Sequence, residues 1–235
     1  MELHIIENVT KEYPEMIQVV IYKTPRTFVT GDRKVKRNRE IVDDVDYNPS
    51  ITSLRRTKTL IKDIVLCNDF ELFCTFTFDP NKVDRFNLTR CWGVMSRWLH
   101  HQRDLSPDMK YLIIPEMHKS GAWHFHGLIS GYKSTLKPSS HSSPYGRQIF
   151  NITSFRSGFT TAVKIDDKEA VSNYVQKYIT KDFVKKFNQR RFFCSRNLIR
   201  PIKSTNSPIF RNTSPLFKKK ISDFGDSELY YIPNF

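Results

Sequence analysis

Long apolar runs are missing from this chain of 235 residues. No stretch approaches the roughly 20 residues that a membrane-spanning helix needs, so no partner membrane is expected. The opening residues, MELHIIENVTKEYPEM, are acidic and polar, and neither a signal peptide nor a transit peptide is expected from them. Cysteine is sparse: Cys67, Cys74, Cys91 and Cys194 lie far apart and form no CxxC pair. That spacing argues against a disulfide framework and against a zinc ribbon, and predicts a reducing, cytoplasmic setting. There is no internal repeat and no GxxxxGK phosphate loop, so a nucleotide-driven motor is not expected. Acidic residues are also in deficit: 24 Asp and Glu stand against 38 Lys and Arg, for a net charge of +14.

What is present describes a globular chain with a polyanionic partner. Hydrophobic residues make up 39% and aromatics 13%, enough for one good core with some chain left for extensions. The basic residues gather in GDRKVKRNRE (31–40), LRRTK (54–58), KKFNQRRFFCSRNLIRP (185–201) and FKKK (217–220). Any one such run is usually a solvated face. Four of them, interleaved with Phe, Tyr and Arg, favour nucleic acid, because aromatic rings stack on unpaired bases.

The periodicities predict an α+β domain. MIQVVIYKTPRTFVT (16–30) reads as a strand or hairpin, and the charged stretch 31–49 as a loop. Residues 50–68 carry Leu54, Leu60, Ile61, Ile64 and Val65 at helical spacing, with a serine to cap the start. ELFCTFTFDP (71–80) alternates as a buried strand, with Cys74, Phe76 and Phe78 on one face and Phe73, Thr75 and Thr77 on the other. Residues 86–103 place Cys91, Val94, Met95, Trp98 and Leu99 on one helical stripe. KYLIIPE (110–116) and WHFHGLIS (123–130) read as a hairpin, the Ser/Pro/Gly-rich 131–147 as a loop, and GFTTAVKI (158–165) as a strand. DDKEAVSNYVQKYITKDF (166–183) is the cleanest helix, capped by Asp166 or Asp167 with Glu169 in its first turn. Strands gathered around a hairpin, with helices interspersed, suit an antiparallel sheet covered by helices.

Three features combine into a candidate site. His124 and His126 are two apart on a strand, so their imidazoles leave the same face. Directly opposed residues in a hairpin keep a constant index sum. A tight turn near Lys119–Gly121 sets that sum near 240 or 242 and puts Glu116 opposite His124 or His126. Two imidazoles and a carboxylate with open positions suit a divalent ion such as Mg²⁺ or Mn²⁺ held against a phosphate, whereas structural zinc wants a fourth ligand. Tyr174 and Tyr178 lie one turn apart, with Lys177 and Lys181 three residues beyond each. A tyrosine oxygen attacking a metal-polarised phosphodiester forms a phosphotyrosine, and a lysine steadies the phenolate or the phosphate. Each feature also has a plainer reading. An HxH on a strand is mostly incidental, Glu116 alone is a surface carboxylate, and the tyrosines continue a core stripe. His118 reads as a hairpin-tip residue or a supplementary ligand.

In this order, FCTFTF (73–78), HFHG (124–127) and YVQKYITK (174–181) resemble the three motifs of the HUH endonucleases, the rolling-circle replication initiators. The surrounding segments 53–80, 111–127, 173–181 and 190–201 are similar to the replication-associated proteins of small single-stranded DNA phages and related plasmids. The resemblance implies a central antiparallel sheet of RRM-like (HUH endonuclease) arrangement flanked by helices. It implies that His124, His126 and Glu116 ligate the Mg²⁺ or Mn²⁺ ion, and that Tyr178 with Lys181 is the first-choice nucleophile pair. Tyr174 with Lys177 also satisfies the pattern and suits a second transesterification. FCTFTF would supply shape rather than chemistry. The implied organisation is an N-terminal extension (1–49) with a strand or hairpin and a basic loop, an endonuclease domain (50–201) and a basic C-terminal tail (202–235).

The implied function is metal-dependent, site- and strand-specific DNA nicking and rejoining through a 5′-phosphotyrosine, on single-stranded or hairpin origin DNA. With no phosphate loop in the chain, the helicase and the polymerase would be separate partner proteins. Two rivals keep part of the sequence pattern: a conjugative relaxase or single-strand transposase with the same chemistry, and a non-catalytic RRM-like module that binds single strands.

Overall fold

The computed structural model describes residues 2–30, 51–143, 146–178, 191–223 and 225–234. The chain divides into two compact units, one of residues 46–199 and one that joins 1–45 with 200–235. Strands β1 (Glu2–Glu12) and β2 (Met16–Thr30) open the chain in the smaller unit. The larger unit follows with α1 (Ile51–Cys67), β3 (Leu72–Phe78), α2 (Leu88–Leu105), β4 (Lys110–Met117) and β5 (Trp123–Ser130). It continues through β6 (Leu136–Ser142), β7 (Gln148–Ile152), β8 (Gly158–Lys164), α3 (Lys168–Val175) and the short β9 (Phe193–Cys194). β10 (Ile202–Thr205), α4 (Ile209–Asn212), β11 (Lys219–Asp223) and β12 (Ser227–Pro233) return to the smaller unit.

In the larger unit all pairings are antiparallel, in the order β6-β7-β8-β3-β5-β4-β9. The alternation of β3 sets its two faces. Cys74, Phe76 and Phe78 are buried against Phe125 and Ile113 and against Cys91, Met95, Trp98 and Leu99 of α2. Asn87 caps α2, its side chain accepting from the Arg90 amide. The opposite sheet face presents Leu112, Ile114 and Leu128 to Ile61, Ile64 and Val65 of α1 and to Val175 of α3. Each fully buried Phe or Ile contributes about 1.5–3 kcal/mol, so these two layers fix the central strands β3, β5 and β4. The molecule is thus mixed α and β, with two antiparallel sheets.

Two expectations are revised. The stretch 131–147 is not all loop, since β6 lies within it. This strand is a sheet edge with mostly exposed side chains, so no apolar alternation marks it, and an edge tolerates Pro138. Of the two readings of 16–30, strand and hairpin, the strand holds, and its register against β1 shifts between Ile21 and Arg26, around Thr24-Pro25. The described part of the third helix is shorter than expected: α3 ends at Val175 and a 3₁₀ turn carries Gln176–Tyr178. Residues 179–190 lie outside the described residues, as do the expected loop at 31–49 and the serine cap at position 50.

In the smaller unit the sheet order is β10-β1-β2-β12-β11, again antiparallel. The segments that the sequence separates into an N-terminal extension and a C-terminal tail therefore share one sheet.

Candidate functional site

The β4–β5 hairpin turns at Gly121, whose φ of +82° favours a residue without Cβ. The amide of His118 donates to Ala122 O at 2.8 Å, and that of Gly121 to His118 O at 2.8 Å. The index sum is 240, which sets Glu116 opposite His124 and Ile114 opposite His126. The carboxylate nevertheless reaches diagonally: Glu116 Oε2 lies 2.7 Å from His126 Nε2. A small residue must follow the second histidine. A Cβ on Gly127 would sit 2.7 Å from Ile113 Cδ1 and 3.1 Å from Phe76 Cε2.

On its other edge β5 pairs with β3, which sets Thr77 opposite His124 and Thr75 opposite His126. Directly opposed residues share a face, and here the pairs bond. Thr77 Oγ1 is 3.1 Å from His124 Nδ1, and Thr75 Oγ1 is 3.2 Å from His126 Nδ1. Each imidazole is thus held at Nδ1 by a hydroxyl that can donate or accept. Facing a carboxylate, His126 Nε2 carries the proton and donates to Glu116, so Nδ1 accepts from Thr75. The motif FCTFTF does more than shape the site.

Burial decides the charge of both rings. His126 is 7% exposed, and desolvation pushes its pKa below the usual imidazole range, against the opposing pull of Glu116. Half-buried His124 is pushed the same way by desolvation and then by His118. His118 occupies the hairpin tip, its ring centroid 5.4 Å from that of His124 and its Nδ1 3.2 Å from Ser120 Oγ. Both strand histidines are therefore neutral at pH 7, the state in which imidazole binds a metal.

The tyrosines arrive from α3. Asp167 caps it, accepting from the Ala170 amide at 2.8 Å, and Val175 and Ser172 are buried. Tyr178 lies flat on His126, with centroids 3.6 Å apart and planes 11° apart. Tyr174 meets Tyr178 edge-on at 5.4 Å and is 43% exposed. Phe73 packs against both sides of the group, edge-on to Tyr174 at 5.4 Å and parallel to His126 at 6.0 Å. Lys177 Nζ stands 5.1 Å from the Tyr174 ring centre. Lys181 lies outside the described residues. The Tyr178 phenol is pushed far above its ordinary pKa by burial, by its hydrogen bond with Tyr174 and by the negative charge of Glu116.

The donor types, though not their present spacing, are those that a small divalent cation takes. The set offers two neutral imidazoles and a carboxylate, and the 2.7 Å between Glu116 Oε2 and His126 Nε2 is close to the roughly 3 Å that separates adjacent donors on such an ion. Among the described residues, however, no three His, Cys, Asp or Glu side chains are already gathered as a metal cage. His124 would have to close on the other two.

Residues 71–183 match the model of the ORF2-type replication-associated protein family. The matched segment is just under half of the chain. The match runs from the start of β3 past Tyr178, so it contains His124, His126, Glu116 and both tyrosines. The match to a replication-associated family supports a role in replication initiation, with DNA as partner. No curated protein and no solved structure matches the chain. No helix among the described residues is long and apolar enough to cross a membrane.

The sequence singled out His124, His126, Glu116, Tyr174 and Tyr178, and the larger unit brings all five to one region. It overlooked Thr75 and Thr77 as partners of the imidazoles, and Phe73 as part of the ring cluster. The alternation of β3 already put those three on one face. What it could not supply is the pairing of β3 with a strand some fifty residues away.

Proposed function

We propose that this chain is a metal-dependent, strand-specific DNA nickase and rejoining enzyme of the HUH type, acting at a replication origin. The observation that carries this reading is the stack of Tyr178 on His126 at 3.6 Å, with the Glu116 carboxylate against the same ring. The candidate nucleophile, carried by the 3₁₀ turn after α3, then packs on the sheet face that carries the candidate ligands. The RRM-like description of that sheet belongs to the same proposal.

The residues divide the work. His124, His126 and Glu116 would hold a Mg²⁺ or Mn²⁺ ion, which when bound supplies positive charge to the phosphoryl oxygens. Thr75 and Thr77 orient the imidazoles through Nδ1; with an ion bound, the His126 proton would sit on Nδ1 and be donated to Thr75 Oγ1, which frees Nε2 as a ligand. Tyr178 Oη attacks phosphorus, the P–O3′ bond breaks, and the phenolic proton ends on the released 3′-hydroxyl. The 5′ end stays on the protein as a phosphotyrosine, and the retained bond energy lets a 3′-hydroxyl reverse the step without ATP. The raised pKa of Tyr178 gives cation dependence a physical reason. Its surroundings disfavour the phenolate, and a cation beside Glu116 offsets that charge. Tyr174, exposed and under Lys177, suits a second transesterification.

The test is incubation with labelled single-stranded origin oligonucleotides and Mn²⁺ or Mg²⁺, followed by a search for a denaturation-resistant protein–DNA adduct. Adduct that disappears in Tyr178→Phe and in His124→Ala supports the proposal. Adduct lost only in Tyr174→Phe reverses the order of the tyrosines. Binding without any adduct makes the chain a single-strand-binding module instead.

A further inference from the structure

We propose that one face of the five-stranded sheet in the smaller unit is a second surface for single-stranded DNA. The inference needs DNA as the partner and does not depend on the nicking chemistry.

The register of the four pairings puts Lys203, Lys11, Gln18, Tyr231 and Lys219 in a single row, one residue from each strand. Directly opposed residues share a face, so three lysines, a tyrosine and a glutamine line up across the whole sheet. The adjacent row reads Thr205, Val9, Val20, Leu229 and Ser222, and neither row contains an acidic residue. The acidic residues Glu12, Asp223 and Glu228 fall on the other face. Two of them are engaged there, Asp223 with Lys23 and Glu228 with Lys220. Burial separates the faces in the same way. Thr10 and Val19, on the acidic side, are wholly buried, and Phe210 of α4 packs on Tyr230 there. In the lysine row Lys203 and Lys219 are exposed and Lys11, Gln18 and Tyr231 are half-buried.

A sheet with one covered face ordinarily presents an uncharged or mixed-charge surface on the other. This one carries a row of three lysines with an aromatic ring among them, which is the combination that tracks a phosphate backbone and stacks a base. Tyr231 and Lys219 also line a cavity of about 570 Å³ with Glu15, Met16, Leu216, Phe217, Lys218 and Pro233. The Tyr231 ring at its wall can stack only on a base that is not already stacked and paired in a duplex. The occupant is therefore a single strand.

The experiment uses the full chain and fluorescein-labelled oligonucleotides in a salt series without divalent metal. Lys11→Gln/Lys203→Gln/Lys219→Gln should weaken single-strand binding at least tenfold and lower the slope of log K against log salt by about 2, for three lost phosphate contacts. Tyr231→Ala should weaken binding roughly tenfold with an unchanged slope, and Tyr231→Phe should restore it. Because the salt series holds no divalent metal, its outcome is independent of the nicking chemistry. Wild-type affinity and slope in the triple variant would overturn the inference, as would an equal loss for duplex and single strand. Photocrosslinking of bromodeoxyuridine oligonucleotides to the unaltered chain guards against misfolded variants. Adducts should map to β1, β2 or β12, and adducts confined to residues 51–178 would refute the surface.

Discussion

Single side chains set the chemistry here, and two small ones set the aim. Thr75 and Thr77 each hold an imidazole through Nδ1, so Thr75→Val should lower Mn²⁺ affinity about 10- to 100-fold while barely changing the melting temperature. Calorimetric titration with Mn²⁺ checks the first effect, and the ¹⁵N shifts of His126 report the tautomer directly. The buried thiols make a prediction independent of metal. Burial pushes Cys74 far above the ordinary thiol range and Cys91 up to about 11. Only thiolate reacts, so in the folded protein at pH 8 neither should be alkylated by iodoacetamide, whereas both should be in denaturant. Peptide mass spectrometry distinguishes the two states. Arg191 shows the limit of reading charge by residue type. It lies in the basic run 185–201, yet it is buried and donates to Ser53 O and Thr57 Oγ1 of α1.

At the scale of elements, the site depends on how closely three strands and a helix approach. Gly127→Ala drives a methyl to 2.7 Å from Ile113 and should cost about 1–3 kcal/mol, measured by urea unfolding. Asp167→Ala removes the cap of α3 and should cost about 0.5–2 kcal/mol. Because α3 delivers Tyr178 to His126, the same variant should slow adduct formation more than single-strand binding. Strands with strong alternation or an obvious hairpin, such as β3, β4 and β5, were legible from sequence because burial on one face writes a period of two into them. β6 was not, because an edge strand with exposed side chains has no such constraint. α3 was legible from its cap and stripe.

The whole molecule has two units with different chemistry on their surfaces. In the smaller one, Lys23 holds the Asp223 carboxyl down to about 2. Its folded pKa lies below the unfolded value, so its contribution is present above about pH 4 and disappears as pH falls toward 2. Hydrogen exchange of β11 and β12 should therefore accelerate across that window, and Asp223→Asn should flatten the change. High salt should weaken the effect, since the pair is exposed.

The sequence by itself determined the α+β class, the hairpin that carries His124, His126 and Glu116, and the helix that carries Tyr174 and leads into Tyr178. Local periodicity, turn length and capping are properties of neighbouring residues, and so are visible in order along the chain. Tertiary structure alone decided which strand flanks that hairpin, and with it the Thr75 and Thr77 partners. It also decided that Glu116 bonds His126 diagonally rather than its direct partner. It alone joined β1 and β2 to β10, β11 and β12, some 200 residues apart, and lined up Lys203, Lys11 and Lys219. Register between distant strands is chosen by the packing of whole faces, and no local window contains that information.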